Sequence, residues 1–251
     1  MAPDLDELLR SLRPISLGEL DERAALLRRV DVKSIADDKR LTQLIERLGE
    51  DHDVLEIDGG REFGYDTVYF DTGDLRCFRD HADDVKPRFK ARTRRYVDSG
   101  VCVFEVKVKP EEGGTDKRQA DHEAAPEMLT HAAERLVEET LREAGVEPAG
   151  ELAPVLRTTF RRITLAAREG GARLTIDLGV TLATLDGRAV RMRHGLALVE
   201  TKSDDGDSPA DGVLADLGAE RISLSKYRTG IDALLRRDDS GELAAARALF
   251  A

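Results

Sequence analysis

The chain has 251 residues, 41% of them hydrophobic, which is enough to bury a core and excludes disorder for most of its length. Acidic residues outnumber basic ones 50 to 39, a formal charge of -11, so a general attraction to nucleic acid or anionic lipid is excluded and any anion site must be a local concentration of cations. No apolar run approaches the roughly 20 residues a membrane-crossing helix needs, and Cys77 and Cys102 lack a CxxC pair or histidines at ligand spacing, which sets aside membrane insertion, a disulfide framework and a zinc site.

The opening MAPDLDELLR lacks the basic-then-apolar order of a signal peptide, so a cytoplasmic protein is expected. It reads as helix over Asp4 to Leu12, and a second helix over Leu17 to Leu27 has Ser16 to cap it and Glu19 to complete a capping box. From Arg28 to Ile35 the period changes to two, with Val30 and Val32 alternating with Asp31 and Lys33 as in a half-buried strand. Asp37 then starts a helix through Gly49, with Leu41, Leu44, Ile45 and Leu48 on one face. DVLEI, TVYFDT, RFKARTRRYV and VCVFEVKVK follow as strands separated by turn-rich pieces, an antiparallel meander. EEGGTDKRQADHE is too polar for core and leads through Pro126 into a helix over Glu127 to Ala144. Strands resume at VLRTTFRRITLAA, RLTIDLGVTLATL and HGLALVETKS, and SPADGVLADLG reads as a short helix or loop before RISLSKYRTGIDALL. Both cysteines are expected as small buried hydrophobes.

Residues two apart in a strand share a face, so RFKARTRRY lines up Arg88, Lys90, Arg92 and Arg94. In VFEVKVK, Glu105, Lys107 and Lys109 face away from Phe104, Val106 and Val108. Arg173 and Asp177 alternate with Leu174, Ile176 and Leu178, and Glu200 and Lys202 alternate with Val199. A wet outer sheet face would explain the alternation, but in so acidic a chain such a face should carry mixed or negative charge, whereas here acids collect in loops and helices. Cations kept together repel unless an anion compensates them. A barrel of about eight strands would turn these faces into a polar lumen. Its natural occupant is a phosphate chain, because Arg offers a planar fork to phosphate oxygens and Lys a point charge. Glu200 is the metal candidate, since one carboxylate with substrate phosphates suits Mg²⁺ or Mn²⁺, although it could equally pair with a neighbouring cation.

Over roughly residues 15 to 235 these motifs, in order, resemble the VTC domain of polyphosphate polymerases, within the triphosphate tunnel metalloenzyme superfamily that also holds the CYTH phosphatases and cyclases. RRVDVKS resembles the opening strand and puts Lys33 in place of the phosphate-binding lysine, with Val32 and Ser34 where the family usually has Arg and Tyr. TVYFDT resembles the tyrosine-rich strand, and RTRRY carries Arg92 and Arg94 onto the paired arginines, with Tyr96 trailing. FEVKVK is similar to the Glu-x-Lys strand and implies a substrate contact for Lys107, with Lys117, or Arg118 instead, as a further cation. RTTFRR favours Arg162 over Arg161, RLTID carries over Arg173, and LVETKS and SKY supply Glu200 as metal ligand with Lys202 and Lys226 as tunnel cations.

The resemblance implies an α+β fold: an antiparallel β-barrel forming a triphosphate tunnel, with flanking helices. The tunnel domain would span 28–236, between an N-terminal helical segment at 1–27 and a C-terminal helical tail at 237–251. It implies metal-dependent transfer of the ATP γ-phosphoryl group onto a polyphosphate chain. Lys33, Arg92, Arg94, Lys107, Arg162, Arg173 and Lys226 would act on the reacting phosphates, and Lys90, Lys109, Lys117, Lys202 and Tyr96 would bind substrate. A tripolyphosphate or nucleoside triphosphate hydrolase and a noncatalytic polyphosphate- or inositol-phosphate-binding module stay open. A nucleic-acid partner is disfavoured by the acidic total and by only 4% aromatics. The large polymerase assemblies of this family carry transmembrane segments, which leaves a membrane partner protein open.

Overall fold

The computed structural model describes residues 4–23, 30–111, 114–235 and 243–251. In chain order they form α1 (Leu5–Ser11), β1 (Pro14–Ile15), α2 (Leu17–Arg23), β2 (Val30–Asp37), α3 (Asp38–Leu48), β3 (His52–Leu55), β4 (Phe63–Thr72), α4 (Arg76–Ala82), β5 (Arg88–Tyr96) and β6 (Cys102–Lys109). There follow β7 (Asp116–Asp121), α5 (His131–Glu143), β8 (Leu152–Ala167), β9 (Arg173–Ala183), β10 (Ala189–Arg191), β11 (Leu196–Ser203), α6 (Pro209–Asp216), β12 (Glu220–Arg221), α7 (Lys226–Leu235) and α8 (Ala244–Arg247). Arg28 and Arg29, the end of the helix expected to Leu27, and residues 237–242 of the expected tail lie outside the described residues.

The fold is the expected α+β with an antiparallel sheet, in the order β12-β2-β11-β9-β8-β4-β5-β6-β7; a parallel β1–β3 pair and β10 join it. Two features differ from the expected barrel of about eight strands. The sheet has twelve strands, and among the described residues no pairing joins β12 to β7. Asp116, Lys117, Arg118 and Asp121 make β7 a charged edge, and charged edges resist further pairing. Every local signal in the second expected helix is present: Ser16 and Glu19 exchange the hydrogen bonds of a capping box at the start of α2.

Backbone contacts divide the chain into two compact units, 1–63 with 161–179 and 192–223, and 64–160 with 180–191 and 224–251. In the first, Leu41, Leu44, Ile45 and Leu48 of α3, Leu9 and Leu12 from the α1 region, and Leu214 of α6 pack on Ala36, Leu174, Ile176, Ala197 and Val199. In the second, Phe89, Phe104, Val106 and Val108 pack against Ala133, Val137 and Leu141 of α5. Each fully buried Val, Leu, Ile or Phe among them contributes about 1.5–3 kcal/mol of transfer free energy. The sequence period thus sends one strand face into each core and leaves the charged face opposite.

Three local expectations are corrected. The stretch after Thr72, read as turn, contains α4: its first amides are satisfied from the strand end, with Asp71 accepting from Cys77 N and Phe78 N and Thr72 Oγ1 from Arg76 N. The polar EEGGTDKRQADHE segment, too polar for core as expected, contains the strand β7, which is solvated as an edge and, among the described residues, pairs with β6 alone. The helix after Pro126 starts at His131 rather than Glu127, where Thr130 caps it by accepting from Ala133 N at 3.2 Å. Cys77 is buried as expected, whereas Cys102 is half-buried at the start of β6.

Helix α7 packs so closely on β8 that a methyl group at Gly230 would lie 2.6 Å from Leu156 Cδ2, and Leu156 is itself fully buried. Gly230→Ala is therefore expected to lower stability by about 1–3 kcal/mol, the usual cost of overpacking, read as a shifted urea midpoint at unchanged slope.

Candidate functional site

In the second unit, register and alternation place Tyr65, Thr67 and Tyr69 of β4, Lys90, Arg92 and Arg94 of β5, Glu105 and Lys107 of β6, and Lys117 of β7 on one strand face, with Tyr69 also buried in the core cluster. Register sets Lys90 opposite Lys107 and Lys107 opposite Lys117, three lysines in a row across three strands. Like charges placed directly opposite are destabilising, so this row is not what a sheet selects for its own stability. Two residues along, Arg92 stands opposite Glu105. Arg92 Nε donates to Glu105 Oε2 at 2.6 Å, Lys117 Nζ donates to Oε1 at 3.4 Å, and Arg94 Nη1 lies 4.0 Å from Oε2. Burial pushes the Glu105 carboxyl up, but Arg92, Arg94 and Lys117 outweigh it and hold it far below the usual carboxylate range.

Aromatic rings brace these cations. Arg92 Nη1 donates to Tyr69 Oη at 3.3 Å, and Arg94 lies over Tyr65 at 5.5 Å. Tyr65 stacks on Phe160 at 5.1 Å and meets the edge of Tyr96 at 5.2 Å, while Lys226 Nζ sits 4.5 Å above Phe160. Lys90 Nζ donates to Ser225 Oγ at 3.4 Å. Burial, then Arg88, Lys107 and Arg92, lower the Lys90 pKa from 10.5 to about 7. Unfolded, that lysine keeps its proton to the ordinary value, so between about pH 7 and 10.5 the unfolded chain binds more protons and this group makes stability rise with pH.

In the first unit, β2, β11, β9 and β8 present Asp31, Lys33, Glu200, Lys202, Arg173, Asp177 and Arg162. Glu200 is opposite Lys33 on one side and Thr175 on the other, and Lys202 is opposite Asp31 and Arg173. Arg162 holds Asp177 with a two-pronged pair at 2.6 and 2.9 Å. Lys202 Nζ donates to Glu200 Oε1 and lies 3.2 Å from Asp31, Lys33 Nζ is 3.7 Å from Glu200, and Arg173 is 3.8 Å from Asp21 of α2. Burial pushes the Glu200 carboxyl up, and Lys202 and Lys33 outweigh it, keeping the carboxylate charged well below its ordinary value.

Sequence-predicted residues thus gather in two sets: Lys33, Arg162, Arg173, Glu200 and Lys202 in the first unit, and Lys90, Arg92, Arg94, Tyr96, Lys107, Lys117 and Lys226 in the second. Lys109 is opposite Arg88 at the far end of its strand. Arg88 itself turns away from the row to hold Asp84 at 2.8 Å and the Val85 carbonyl. Arg161, itself exposed, pairs with half-buried Glu62, and Arg118 pairs with Glu143 of α5. Lys226 lies at the start of a helix rather than on a strand. The expectation that acids keep to loops and helices is corrected: Glu105 and Asp177 are strand residues, each 1% exposed, placed to hold the arginines. Tyr69, Asp71, Ser225 and Tyr227, which no motif singled out by role, also join the second set. Among the described residues no group of three or more His, Cys, Asp or Glu could cage a metal. Glu200 is a single carboxylate already engaged by two lysines, a donor set that fits a divalent ion bringing most of its ligands as phosphate oxygens and water.

The profile of the VTC domain family matches residues 28–235. Among solved structures, the chain is similar to a candidate adenylate cyclase from Bacillus halodurans, with a TM-score of 0.50 and 14% identity over 79% of this chain and 94% of that one. It is also similar to a candidate adenylate cyclase from Vibrio parahaemolyticus, with a TM-score of 0.47 and 12% identity over 82% and 98% of the two chains. A third is a candidate adenylyl cyclase from Hippeastrum with a dominant triphosphatase activity, at 0.45 and 17% identity over 81% and 95%. At 14% identity the likeness to the first of these is one of fold alone. No curated protein matches the sequence.

Proposed function

The chain belongs to the VTC domain family, and we propose on that premise that it is a triphosphate-handling enzyme that transfers the ATP γ-phosphoryl group to a polyphosphate chain. The observation that carries this reading is the Lys90, Lys107 and Lys117 row, a stack of like charges that an anion with evenly spaced oxygens would neutralise. In the reaction a terminal phosphate oxygen of the acceptor attacks the γ-phosphorus, the bond from that phosphorus to the β-bridging oxygen breaks, and ADP leaves with the electron pair. Such a transfer asks the protein for in-line positioning and charge neutralisation, and no side-chain nucleophile. Within the second unit we assign Arg92, Arg94, Lys107 and Lys226 to the reacting phosphates, and within the first unit Lys33, Arg162 and Arg173 form a cationic set suited to the same class of anion. Lys90, Lys109, Lys117, Lys202 and Tyr96 would bind the rest of the chain, and the working domain would be 28–236. Glu200 would hold Mn²⁺ or Mg²⁺, an ion that supplies charge neutralisation on phosphate oxygens when bound.

The test is to incubate the protein with ATP and Mn²⁺ and separate long anionic polymer from free phosphate on a gel. Polymer with matching ADP is expected. Phosphate without polymer would instead make the chain a hydrolase, with water as acceptor, and neither product would leave a binding module.

A pH signature accompanies the reading. Lys90 is mostly neutral at pH 8, given a pKa of about 7, and an anion beside it restores the charged form. Binding of inorganic tripolyphosphate at pH 8 should therefore take up a proton, seen as a calorimetric heat that changes with the ionisation enthalpy of the buffer. Lys90→Met should abolish the part of the uptake that belongs to this group.

A further inference from the structure

Asp71 lies near the end of β4 and is fully buried. Its Oδ1 accepts from Thr72 N and Cys77 N, both at 2.8 Å, and its Oδ2 accepts from Phe78 N at 3.1 Å. Oδ2 also accepts from the hydroxyl of Tyr227, 156 residues away. Tyr227 is 1% exposed and is the second residue of α7. Its ring stacks on Tyr69 at 5.1 Å, the same Tyr69 whose hydroxyl accepts from Arg92. Just before the anchor in the chain, Ser225 Oγ accepts from Lys90, and Lys226 reaches Phe160. Ser225 also caps the helix, its hydroxyl accepting from Arg228 N at 3.4 Å, and its carbonyl accepts the first helical bond from Thr229 N at 2.8 Å. The start of α7 therefore places three consecutive residues, Ser225, Lys226 and Tyr227, against the cationic face, and the last of them is tied to a buried carboxylate.

We propose that the Asp71–Tyr227 bond is a positioning latch that fixes the first turn of α7, and with it Lys226 and Ser225, against Lys90 and Arg92 for phosphate binding. This rests on reading that face as a phosphate site. A buried charged acceptor is a poor device for stability alone, because a well-packed apolar pair of similar volume is often as stable. Its value is geometric: a charge-assisted bond to a deeply placed phenol allows one rotation of the helix start. Burial, then the charge of Asp71, drives the Tyr227 phenol far above its ordinary value, which keeps it a donor at neutral pH.

Tyr227→Phe keeps the ring and its stacking and removes only the donor. The experiment is calorimetric affinity for inorganic tripolyphosphate on the full chain, for the wild type, Tyr227→Phe, Lys226→Ala and the double variant, with thermal melts confirming the folded state. Tyr227→Phe is expected to weaken binding about tenfold, the scale of a bond to a charged group. In the Lys226→Ala background the same substitution should cost about twofold or less, because a positioning residue acts through the side chain it positions. Asp71→Asn, which keeps an acceptor for the amides, should show the same coupling if Tyr227→Phe does not fold. Additive losses, or unchanged affinity in Tyr227→Phe beside a wild type that binds, would overturn the latch. A wild type that binds no tripolyphosphate would overturn the phosphate site itself.

Discussion

Glu105→Gln should lower the unfolding free energy by about 3–5 kcal/mol, because it removes the carboxylate that Arg92, Arg94 and Lys117 share at a position 1% exposed to solvent. The cost is not that of one lost hydrogen bond. A buried pair broken from one side leaves the opposing charge desolvated, and here the opposing charge is a cluster. The sign with pH follows from the depressed carboxyl: the stabilisation is fully present above the ordinary value of 4.5 and is lost as pH falls toward the lower folded value. Urea unfolding at pH 7 measures the effect. Tripolyphosphate should restore more stability to the variant than to the wild type, since an anion would take the place of the missing carboxylate. Equal stabilisation of both proteins would separate Glu105 from the phosphate site.

Arg94→Ala should have the opposite profile. Its closest approach to Glu105 is 4.0 Å, whereas Arg92 bonds that carboxylate at 2.6 Å, so Glu105 stays held by Arg92 and Lys117 when Arg94 is removed. Stability should change by about 1 kcal/mol or less. Phosphoryl transfer should fall about 10²- to 10³-fold, the effect of removing one preorganised charge contact worth about 2–4 kcal/mol. Arg92→Ala is a less clean test, because it both removes a phosphate contact and strips the buried Glu105 of its shortest bond. Full turnover in Arg94→Ala would remove the residue from the machinery.

The elements legible in the sequence are those whose cause is local. Alternation in RFKARTRRY and FEVKVK is a property of neighbouring residues, and β5 and β6 carry it as expected, with Phe89, Phe104, Val106 and Val108 turned to the core. The Ser16–Glu19 capping box and the apolar face of α3 are local in the same sense. Helix α4 was not legible, because its amides are satisfied by Asp71 and Thr72 on the preceding strand, and Leu75 enters in the left-handed region at φ 58°. The partners of the cations were hidden for a related reason. Arg92 and Glu105, Arg162 and Asp177, and Lys33 and Glu200 meet only through strand register, which depends on hairpin length and on pairings far apart in sequence. The Tyr227 bond to Asp71 is the extreme case, because no spacing rule relates a helix start to a strand end 156 residues earlier.

The account stands on strand-borne cations gripping a phosphate chain, and the most direct measurement is tripolyphosphate affinity in two variants of equal charge change. Lys107→Gln removes the middle lysine of the row, and Arg157→Gln removes an arginine of the same unit that is committed to Asp66 at 2.6 and 2.8 Å. Lys107→Gln should weaken binding roughly tenfold or more and Arg157→Gln by about twofold at most, since only the first loses a charge-assisted contact to the ligand. Equal losses in the two variants, or a wild type that does not bind, would contradict it.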